Sequence, residues 1–590
     1  NPPYMCSKGM NAALKSFAKD SFADSKSDLF AMFIERGFGW CKATGFNSMV
    51  TMQSWMFLPS YEVMRKALLT RNTLSTMVHM GSGVMGIAFG TAATVLCNKR
   101  IDGYAAIFSS CESGDINENG MPICFPIQNK RLKITAPDDF KKIPGSPIAY
   151  WVSNKILSSF SELRNVGDYC DCKNGITTGN NERFVRSWSE VELNKICLNA
   201  TKSAHVNTEK WFPYSKGGDY RKWYGNNELV IDWEDDGKRL KEFPNSFLRG
   251  RNFYFLPAVT WTLLSMYGFG ARFRSAGALF DVNGMSLFPK NESENFWLGL
   301  LNSSCARGFL EIINPTIAFQ TGDISRIPVP LNINRAVVEE CVVDCIRIAK
   351  DDWDASETSW DFQGNSLIRD ATCHGLLEHA WGNYSTYSQG QIQKTGAIEE
   401  KLNSYFVSSF GLENEFAVEV THDQITLARA DREKDSQSLI SYVIGCMMGR
   451  YSLDEPGLIY ASAGNIGFDV TRYKTFPADA DGIVPISDEL WFEDDATNRL
   501  REFLNAVWGS ETLEDNMGWL AESLGKKGTE TPEETIRRYL SGSFYKDHIQ
   551  TYKKRPIYWH FSSGKQGAFQ ALVYLHRYHE GTLARMRAEY

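Results

Sequence analysis

Apolar positions near the start of the chain follow two periods in turn. They recur at helical spacing in residues 27–37 and again in residues 61–70. Between these segments, residues 42–45 favour a turn and residues 46–52 form a short apolar strand candidate. The resulting order is strand end, loop, helix, strand, helix, strand. It predicts the second half of a doubly wound α/β domain, in which ligands bind at the carboxyl ends of the strands.

The pattern changes twice further along the chain. Residues 1–140 form the predicted first domain, and the Pro- and Gly-containing residues 143–147 form a predicted linker. Residues 148–332 combine short apolar segments with many Gly and Asn turns, which predicts a mixed α+β domain. In residues 333–590 the apolar positions recur mostly at helical spacing. The predicted helices there are Arg335–Lys350, Gln391–Phe410, Asp435–Met448 and Asp488–Trp508.

Composition agrees with a globular chain of several domains. The 590 residues are 43% hydrophobic and include 16 Trp and 36 Phe, enough for large cores. No apolar run approaches the length of a membrane span, so we expect no membrane partner. The 13 cysteines are scattered without the paired spacing of a zinc site. We therefore expect free thiols in a reducing cytoplasm and no metal.

The first four residues, Asn1-Pro2-Pro3-Tyr4, carry the strongest chemical signal. Two prolines restrict the backbone so that the Asn1 side-chain oxygen and the Pro2 carbonyl can point the same way. Two such acceptors can bind both hydrogens of an exocyclic amine and make its nitrogen more nucleophilic. Tyr4 offers a face on which a base turned out of a duplex can stack. A proline-rich turn is the alternative interpretation of these four residues alone.

Further segments in a fixed order extend this signal over the whole chain. They are residues 175–186, 273–280, 314–316 with 322–330, 352–354 with 357–362, 449–454 and 553–559. The tetrapeptide resembles the motif of amino-group methyltransferases. The ordered series resembles the C-terminal portion of the PglX adenine-specific DNA methyltransferases of the BREX phage-defence systems. The resemblance implies a Rossmann-like methyltransferase domain, then a target-recognition domain and a mostly α-helical C-terminal region.

The resemblance also implies an activity, a cofactor and partners. The activity is site-specific methylation of adenine N6 with base flipping, which marks host DNA as self. The cofactor is S-adenosyl-L-methionine, and the partners are double-stranded DNA and other BREX defence proteins. Because the chain begins at the catalytic motif, we expect the Gly-rich loop that holds most of the cofactor to lie upstream of Asn1.

Individual site residues follow from the same resemblance. Asn1, Pro2, Pro3 and Tyr4 are the expected catalytic residues, and Asn1 also lies beside the cofactor. Phe33 is expected against the adenine of the cofactor, and Phe89 is expected to stack on the target base opposite Tyr4. For Phe33 and Phe89 a place in the hydrophobic core is the alternative.

A second glycine pattern offers another cofactor site. Gly81, Gly83 and Gly86 match G-x-G-x-x-G. Residues 87–96, however, have the pattern of a strand, and without a helix there is no helix N-terminus to face a ligand. We therefore expect no cofactor role for these glycines.

Charge adds a set of candidate DNA contacts. A net charge of −7 excludes a uniformly basic nucleic-acid binder but permits a local basic groove. Arg272 and Arg274 stand beside small residues and are predicted to read base edges, whereas the run 553–555 suits phosphates. Structural packing is the alternative for Arg274, and a solvated surface is the alternative for each single cation. The predicted DNA-binding residues are Arg221, Lys222, Arg249, Arg251, Arg272, Arg274, Lys553, Lys554 and Arg555.

Two other classes of function stay open beside DNA methylation. A non-catalytic DNA-binding specificity module would also use the downstream basic and aromatic residues. A protein-glutamine methyltransferase would use the same tetrapeptide. The long region after the first domain argues against this last alternative, because a peptide substrate does not require it.

Overall fold

The computed structural model describes residues 1–124, 131–201, 209–369, 371, 375–564 and 568–589. The chain forms two compact units. Unit 1 comprises residues 1–172, 303–334 and 403–418. Unit 2 comprises residues 173–302, 335–402 and 419–590. The three-part division drawn from the sequence stays a prediction.

Helices and strands of both units are interspersed along the chain. The helices are α1 Ala12–Ser21, α2 Leu29–Trp40, α3 Glu62–Arg71, α4 Asn154–Glu162, α5 Val166–Tyr169, α6 Asn181–Phe184, α7 Glu234–Lys241, α8 Glu294–Asn302, α9 Ser304–Ile313, α10 Thr321–Ser325, α11 Arg335–Asp354, α12 Leu377–Phe410, α13 Arg432–Met447, α14 Ala496–Trp508, α15 Leu513–Ser523, α16 Pro532–Gly542, α17 Phe544–Thr551 and α18 Thr582–Glu589. The strands are β1 Phe46–Met52, β2 Thr73–Met80, β3 Thr91–Cys97, β4 Ala106–Cys111, β5 Lys133–Thr135, β6 Cys170–Lys173, β7 Ile176–Thr177, β8 Val185–Ser187, β9 Trp211–Ser215, β10 Leu229–Asp232, β11 Phe247–Leu248, β12 Ala258–Thr262, β13 Ala271–Arg274, β14 Leu279–Phe280, β15 Gly284–Pro289, β16 Ile483–Pro485, β17 Tyr558–Ser562 and β18 Gln570–Tyr574.

A five-stranded mixed sheet with the order β1-β3-β2-β4-β5 organises unit 1. Strand β3 is antiparallel to β1 and β2, while β2 is parallel to β4. Strands β1, β2 and β4 therefore run in one direction, and their last residues Met52, Met80 and Cys111 lie at one edge. The first residue of β3, Thr91, lies at the same edge because it pairs with Met52 and Met80. This arrangement agrees with the predicted α/β class.

The sequence pattern located the first elements of unit 1 well. The predicted strand 46–52 is confirmed as β1, and the two predicted helices correspond to α2 and α3. Helix α2 buries Phe30, Ala31 and Ile34 in a core shared with residues of α3, β2 and β3. The periodic apolar positions of the sequence are thus the ones that pack against the sheet.

Unit 2 combines small sheets with a helical core. Strand β12 pairs antiparallel with β13 and β15, and β10 pairs antiparallel with β8 and β9. Helices α13, α14 and α16 pack together through Leu439, Phe503 and Ile536. Residues 333–590, predicted to be mostly helical, also contain the short antiparallel sheet β16-β18-β17.

The predicted C-terminal helices differ from the observed ones mainly at their starts. Helix α12 begins at Leu377, well before the predicted Gln391. The added residues include Gly382 and Gly390. Because glycine is a weak helix former, the sequence pattern did not predict this first part of the helix. Helix α14 begins after Asp495, whose carboxylate accepts the Thr497 N–H as an N-cap, so residues 488–495 are outside the helix.

Neither a membrane span nor a metal centre occurs in the part of the chain that the structure describes. No helix there is both long and apolar enough to cross a membrane. Within the same residues, no group of His, Cys, Asp and Glu side chains has the geometry of a metal site.

Candidate active site

The motif residues lie in unit 1, ahead of α1. The Tyr4 hydroxyl donates a hydrogen bond of 2.7 Å to the Asn1 Oδ1. Asn1 is exposed, Pro2 is buried and Tyr4 is half-buried. The Asn1 Oδ1, which is expected to accept an amine hydrogen, is therefore solvent-accessible. The bond from Tyr4 already occupies part of the accepting capacity of this oxygen.

The first turn of α2 anchors the residue that follows the motif. The Asp28 carboxylate accepts the Met5 N–H at 3.0 Å and caps α2 by accepting the Phe30 N–H at 3.3 Å. The Met5 carbonyl accepts the Leu29 N–H at 3.2 Å. Asp28 is buried, so these bonds are shielded from water. One carboxylate thus fixes both the helix start and the end of the tetrapeptide.

Phe89 lies against Tyr4. The two ring centroids are 5.4 Å apart and the planes are inclined at 81°. Phe89 is 39% exposed, which argues against the alternative of a core residue. On its other side, Tyr4 contacts the buried ring of Phe30 edge-on, with centroids 6.1 Å apart.

This aromatic pair is in a closed arrangement. A base stacked on both rings requires two parallel faces about 7 Å apart, since each stacking contact spans roughly 3.5 Å. The edge-to-face contact of Tyr4 and Phe89 leaves no such gap. Entry of a planar ligand therefore requires one of the two rings to turn.

Burial keeps the two tyrosine hydroxyls near the motif protonated. The pKa of Tyr4 is raised by burial and, secondly, by the negative charge of Asp28. The same causes, in the same order, raise the pKa of Tyr61 to about 12. Tyr4 therefore remains a hydrogen-bond donor to Asn1 throughout the neutral pH range.

Phe33 lies on α2 beside a second aromatic ring. It is half-buried, and its centroid is 6.5 Å from that of Trp40, which is 62% exposed. The guanidinium of Arg36 lies 5.3 Å from the Trp40 centroid. The exposed side of this pair offers an apolar surface suited to a planar ring, so Phe33 fits the cofactor role that the resemblance implies.

The glycine pattern at 81–86 leads into a strand rather than a helix. Gly83 and Gly86 have positive φ angles of 87° and 69° around a short 3₁₀ turn, and β3 follows from Thr91. The element that follows this loop is therefore strand β3 and not a helix whose N-terminus could face a ligand.

Three polar residues beside Phe89 were missed by the sequence analysis. His79, near the end of β2, hydrogen-bonds with Gln53 at 2.7 Å and with the Tyr150 hydroxyl at 3.3 Å. Gln53 follows β1 directly and donates its backbone N–H to the Gly90 carbonyl at 3.1 Å. For Gln53 and His79, the position at the ends of strands β1 and β2 was the available signal, since that edge of an α/β sheet binds ligands.

The structure places two of the predicted base-reading arginines inside unit 2. Arg274 is 2% exposed, its guanidinium donates to Ser286 at 2.8 Å, and its ring neighbours are Phe280 and Phe288. Arg272 is 1% exposed and donates to the carbonyl of Arg221. Burial lowers the pKa of Arg274 to about 9 and that of Arg272 to about 10. Neither side chain is available to a DNA groove in this structure, which favours the alternative of structural packing.

Two more predicted contacts are engaged internally. Arg221 donates to Asp352 at 2.5 Å and lies over the Trp353 ring. Lys222 is 2% exposed and forms an ion pair with the buried Glu399. Both cations therefore have acidic partners within unit 2.

The other five predicted cations are more accessible. Arg249, Arg251, Lys553 and Lys554 are exposed, and Arg555 is partly exposed. Carboxylates neutralise three of them: Asp236 pairs with Arg251, Glu228 with Lys553, and Glu190 with Arg555 at 2.8 Å. Among the described residues, Arg249 and Lys554 form no ion pair.

Comparison with known proteins identifies the class of the N-terminal region. Residues 1–84 match the family described as Eco57I restriction-modification methylase. These residues include the tetrapeptide, α2, β1 and β2, whereas Phe89 lies just beyond the matched segment.

The whole chain is related to two curated proteins. It is 42% identical over 623 residues to the adenine-specific methyltransferase BrxX of Escherichia coli O9:H4 (strain HS). It is 36% identical over 616 residues to the adenine-specific methyltransferase PglX of Lacticaseibacillus casei (strain Zhang). Each alignment covers 100% of this chain and 50% of the relative, so the chain spans about half the length of the curated relatives it matches. The resemblance to PglX methyltransferases stated from the sequence is confirmed.

Solved structures give weaker similarity. The Type IIL restriction-modification enzyme MmeI in complex with DNA aligns with a TM-score of 0.42 and 12% identity, covering 71% of this chain and 55% of that one. The DrdV–DNA complex aligns with a TM-score of 0.36 and 11% identity, covering 59% and 44%. Scores of this size carry no argument about fold or function.

Proposed function

We propose that this chain forms part of a site-specific DNA methyltransferase that transfers a methyl group from S-adenosyl-L-methionine to adenine N6. The product marks host DNA as self in a BREX-type defence system. Double-stranded DNA is the proposed substrate, and other BREX proteins are the proposed partners. One observation carries the proposal: Asn1, Tyr4 and Phe89 meet at one site in a chain related along its whole length to adenine-specific methyltransferases.

The proposed chemistry follows from the acceptors of the motif. The amine of a flipped adenine donates one hydrogen to the Asn1 Oδ1 and the other to the Pro2 carbonyl. These bonds draw the nitrogen lone pair out of conjugation with the ring and direct it at the incoming methyl group. The Tyr4 hydroxyl, which now donates to Asn1, must share or release that oxygen when the amine binds.

Aromatic residues position the two planar groups in this proposal. Tyr4 and Phe89 hold the target base between their faces once their edge contact has opened. Phe33 and Asn1 contact the cofactor, which when bound supplies an electrophilic methyl group. The protein provides no covalent step of its own, and its contribution is orientation of the amine and exclusion of water.

The proposed DNA surface is narrower than the sequence suggested. We restrict it to the exposed cations Arg249, Arg251, Lys553 and Lys554 and the partly exposed Arg555. Arg249 and Lys554 are the strongest candidates for phosphate contacts, because no carboxylate among the described residues neutralises either. The four buried or internally paired cations stabilise unit 2 instead.

The decisive experiment compares the natural protein that carries this chain with its Asn1→Ala variant. The target sequence is first mapped by methylome sequencing of cells that express the protein. Incorporation of a radiolabelled methyl group into a duplex with that sequence should fall by about 10²–10³-fold in the variant, the effect of losing one preorganised hydrogen-bonding group. Retention in a gel shift should be nearly unchanged, because the lost interaction acts in the transition state.

A matched control separates this effect from general damage. Asn119 is exposed, and its side chain forms no bond to the motif, so Asn119→Ala should methylate normally. Normal incorporation by Asn1→Ala would overturn the proposed function.

A further inference from the structure

A directional chain of hydrogen bonds ends beside the aromatic pair. Tyr150 bonds to the His79 Nδ1 at 3.3 Å, and the His79 Nε2 bonds to the Gln53 Oε1 at 2.7 Å. His79 pairs with Ala92 of β3 and Ser110 of β4, so it lies in the middle of the sheet near its ligand-binding edge. The whole chain of bonds belongs to unit 1.

The direction of each bond follows from the charge state of the histidine. Burial lowers the pKa of His79 to about 4, so the imidazole is neutral near pH 7 and carries a single N–H. The Gln53 Oε1 can only accept, which places that hydrogen on the Nε2. The Nδ1 then accepts, and the Tyr150 hydroxyl is its donor.

Aromatic contacts hold the imidazole and the Tyr150 ring in place. Trp151 stacks on the imidazole with centroids 6.4 Å apart and planes inclined at 24°. The Tyr150 ring is buried and stacks on Phe108 with centroids 4.9 Å apart and planes inclined at 4°. The imidazole therefore has one orientation in which both nitrogens are satisfied.

The last member of the chain, Gln53, is held against the residue that follows Phe89. A Cβ placed on Gly90 would lie 2.2 Å from the Gln53 Oε1, so the carboxamide packs directly on the Gly90 backbone. Since the oxygen faces His79, the amide nitrogen is the remaining polar group of the side chain. Among the described residues, no acceptor binds that nitrogen, and Gln53 is only half-buried.

We propose that Gln53 donates its side-chain N–H to a ring nitrogen of the target adenine, and that His79 is a positioning residue that keeps the carboxamide in this orientation. The inference rests on the proposed function and adds a residue that selects the base. The ring nitrogens N1, N3 and N7 of adenine are all acceptors, whereas N1 of guanine and N3 of thymine carry a hydrogen. N3 and N7 of guanine are acceptors as in adenine, so a fixed donor beside the stacking ring favours adenine over guanine when it meets N1, while the motif binds the amine.

The test uses the natural protein and duplexes in which the target adenine is replaced by its 1-deaza, 3-deaza or 7-deaza analogue. One of these analogues should lower kcat/KM of the wild-type protein by roughly 3- to 10-fold beyond the others, the effect of one lost hydrogen bond. Gln53→Ala should lower kcat/KM on adenine by a similar factor, and the kcat/KM of this variant should fall no further when adenine is replaced by that analogue. If instead the effect of the variant and the effect of the analogue multiply for all three analogues, the proposal is overturned.

Variants of His79 test the positioning role. His79→Gln keeps an N–H near the place of the Nε2 and should retain most of the activity. His79→Leu removes the donor and should reproduce the analogue pattern of Gln53→Ala, with kcat reduced more than DNA affinity. Equal activities of these two variants with wild-type stability would contradict the role of His79.

Failure of this inference differs from failure of the proposed function. If wild-type protein methylates DNA and the Gln53 and His79 variants match it on every duplex, the inference is wrong and the function stands. If neither wild-type protein nor any variant incorporates methyl groups, the proposed function is wrong and the inference falls with it.

Discussion

The sheet edge of unit 1 and strand β13 of unit 2 both bring aromatic rings against polar side chains, with opposite results. At the sheet edge, Phe89 remains 39% exposed and Asn1 is exposed beside Tyr4. In β13, Arg274 is 2% exposed between Phe280 and Phe288 and directs its donors inward. At the sheet edge, ring faces and a hydrogen-bond acceptor remain available to a ligand. In β13, the ring faces and the arginine donors bind one another and stabilise the fold.

This difference shows what an aromatic–cation cluster in a sequence can mean. Arginine buries its carbon stem and guanidinium face against rings as readily as it exposes them. The same residue types therefore occur in a DNA groove and in a domain core. Accessibility and the location of the partner decide between the two, and neither is encoded in the local composition.

The largest effect we expect beyond the motif itself is on stability, from Arg274→Ala. Loss of the ring contacts and of the bond to Ser286 should lower the free energy of unfolding by about 2–4 kcal/mol. Arg274→Met fills most of the same volume and should cost less. Urea unfolding measures both, with exposed Arg249→Ala as a control that stays within about 0.5 kcal/mol of wild type. A stable Arg274→Ala protein with altered site preference would restore the base-reading role.

The aromatic pair should behave in the reverse way, with a large effect on activity and a small one on stability. Phe89→Ala should reduce kcat/KM for methylation by about 5- to 150-fold, corresponding to ~1–3 kcal/mol of lost stacking. Phe89→Tyr should keep most of the activity. The control is Phe46→Ala. Phe46 is an exposed ring at the first residue of β1, whereas the candidate site lies at the end of the sheet where β1 finishes with Met52. Equal activity of Phe89→Ala and Phe46→Ala would show that Phe89 does not touch the base.

Two helix caps in unit 1 allow a matched comparison of structure and function. Asp28→Ala and Asn11→Ala each remove an N-cap and should cost about 1–2 kcal/mol of unfolding free energy. Only Asp28 also binds the Met5 N–H, so Asp28→Ala alone should lower methyl incorporation several-fold at a temperature where both variants are folded. Similar incorporation by the two variants would mean that the motif does not depend on this anchor.

The smallest effect concerns the exposed cations. Lys554→Ala should weaken binding to all DNA sequences alike and reduce the slope of log affinity against log salt by roughly one. Lys553→Ala is the control, because Glu228 already neutralises that side chain, and its slope should change less. Titration of a labelled duplex at several salt concentrations measures both slopes. A larger change for Lys553→Ala would place the phosphate contact elsewhere.

Local signals made part of the molecule predictable from sequence. Strand β1 and helices α2 and α3 follow from periodicity because their buried faces are regular. The tetrapeptide and Phe89 were found through a resemblance, and the structure brings them into contact. The burial of Lys222 depends on Glu399, a partner more than a hundred residues away that the local pattern cannot reveal. Gln53 and His79 were missed for the same reason, since their significance comes from strand pairing.

The close packing of Gly90 on Gln53 has a consequence for sequence variation. Any side chain at position 90 would collide with the carboxamide at 53, because a β-carbon there would lie only 2.2 Å from the carboxamide oxygen. A larger residue at 90 would displace the Gln53 carboxamide from its place beside His79, since the carboxamide is the movable end of that side chain. In an alignment of related chains, we therefore expect the residues at 53 and 90 to covary.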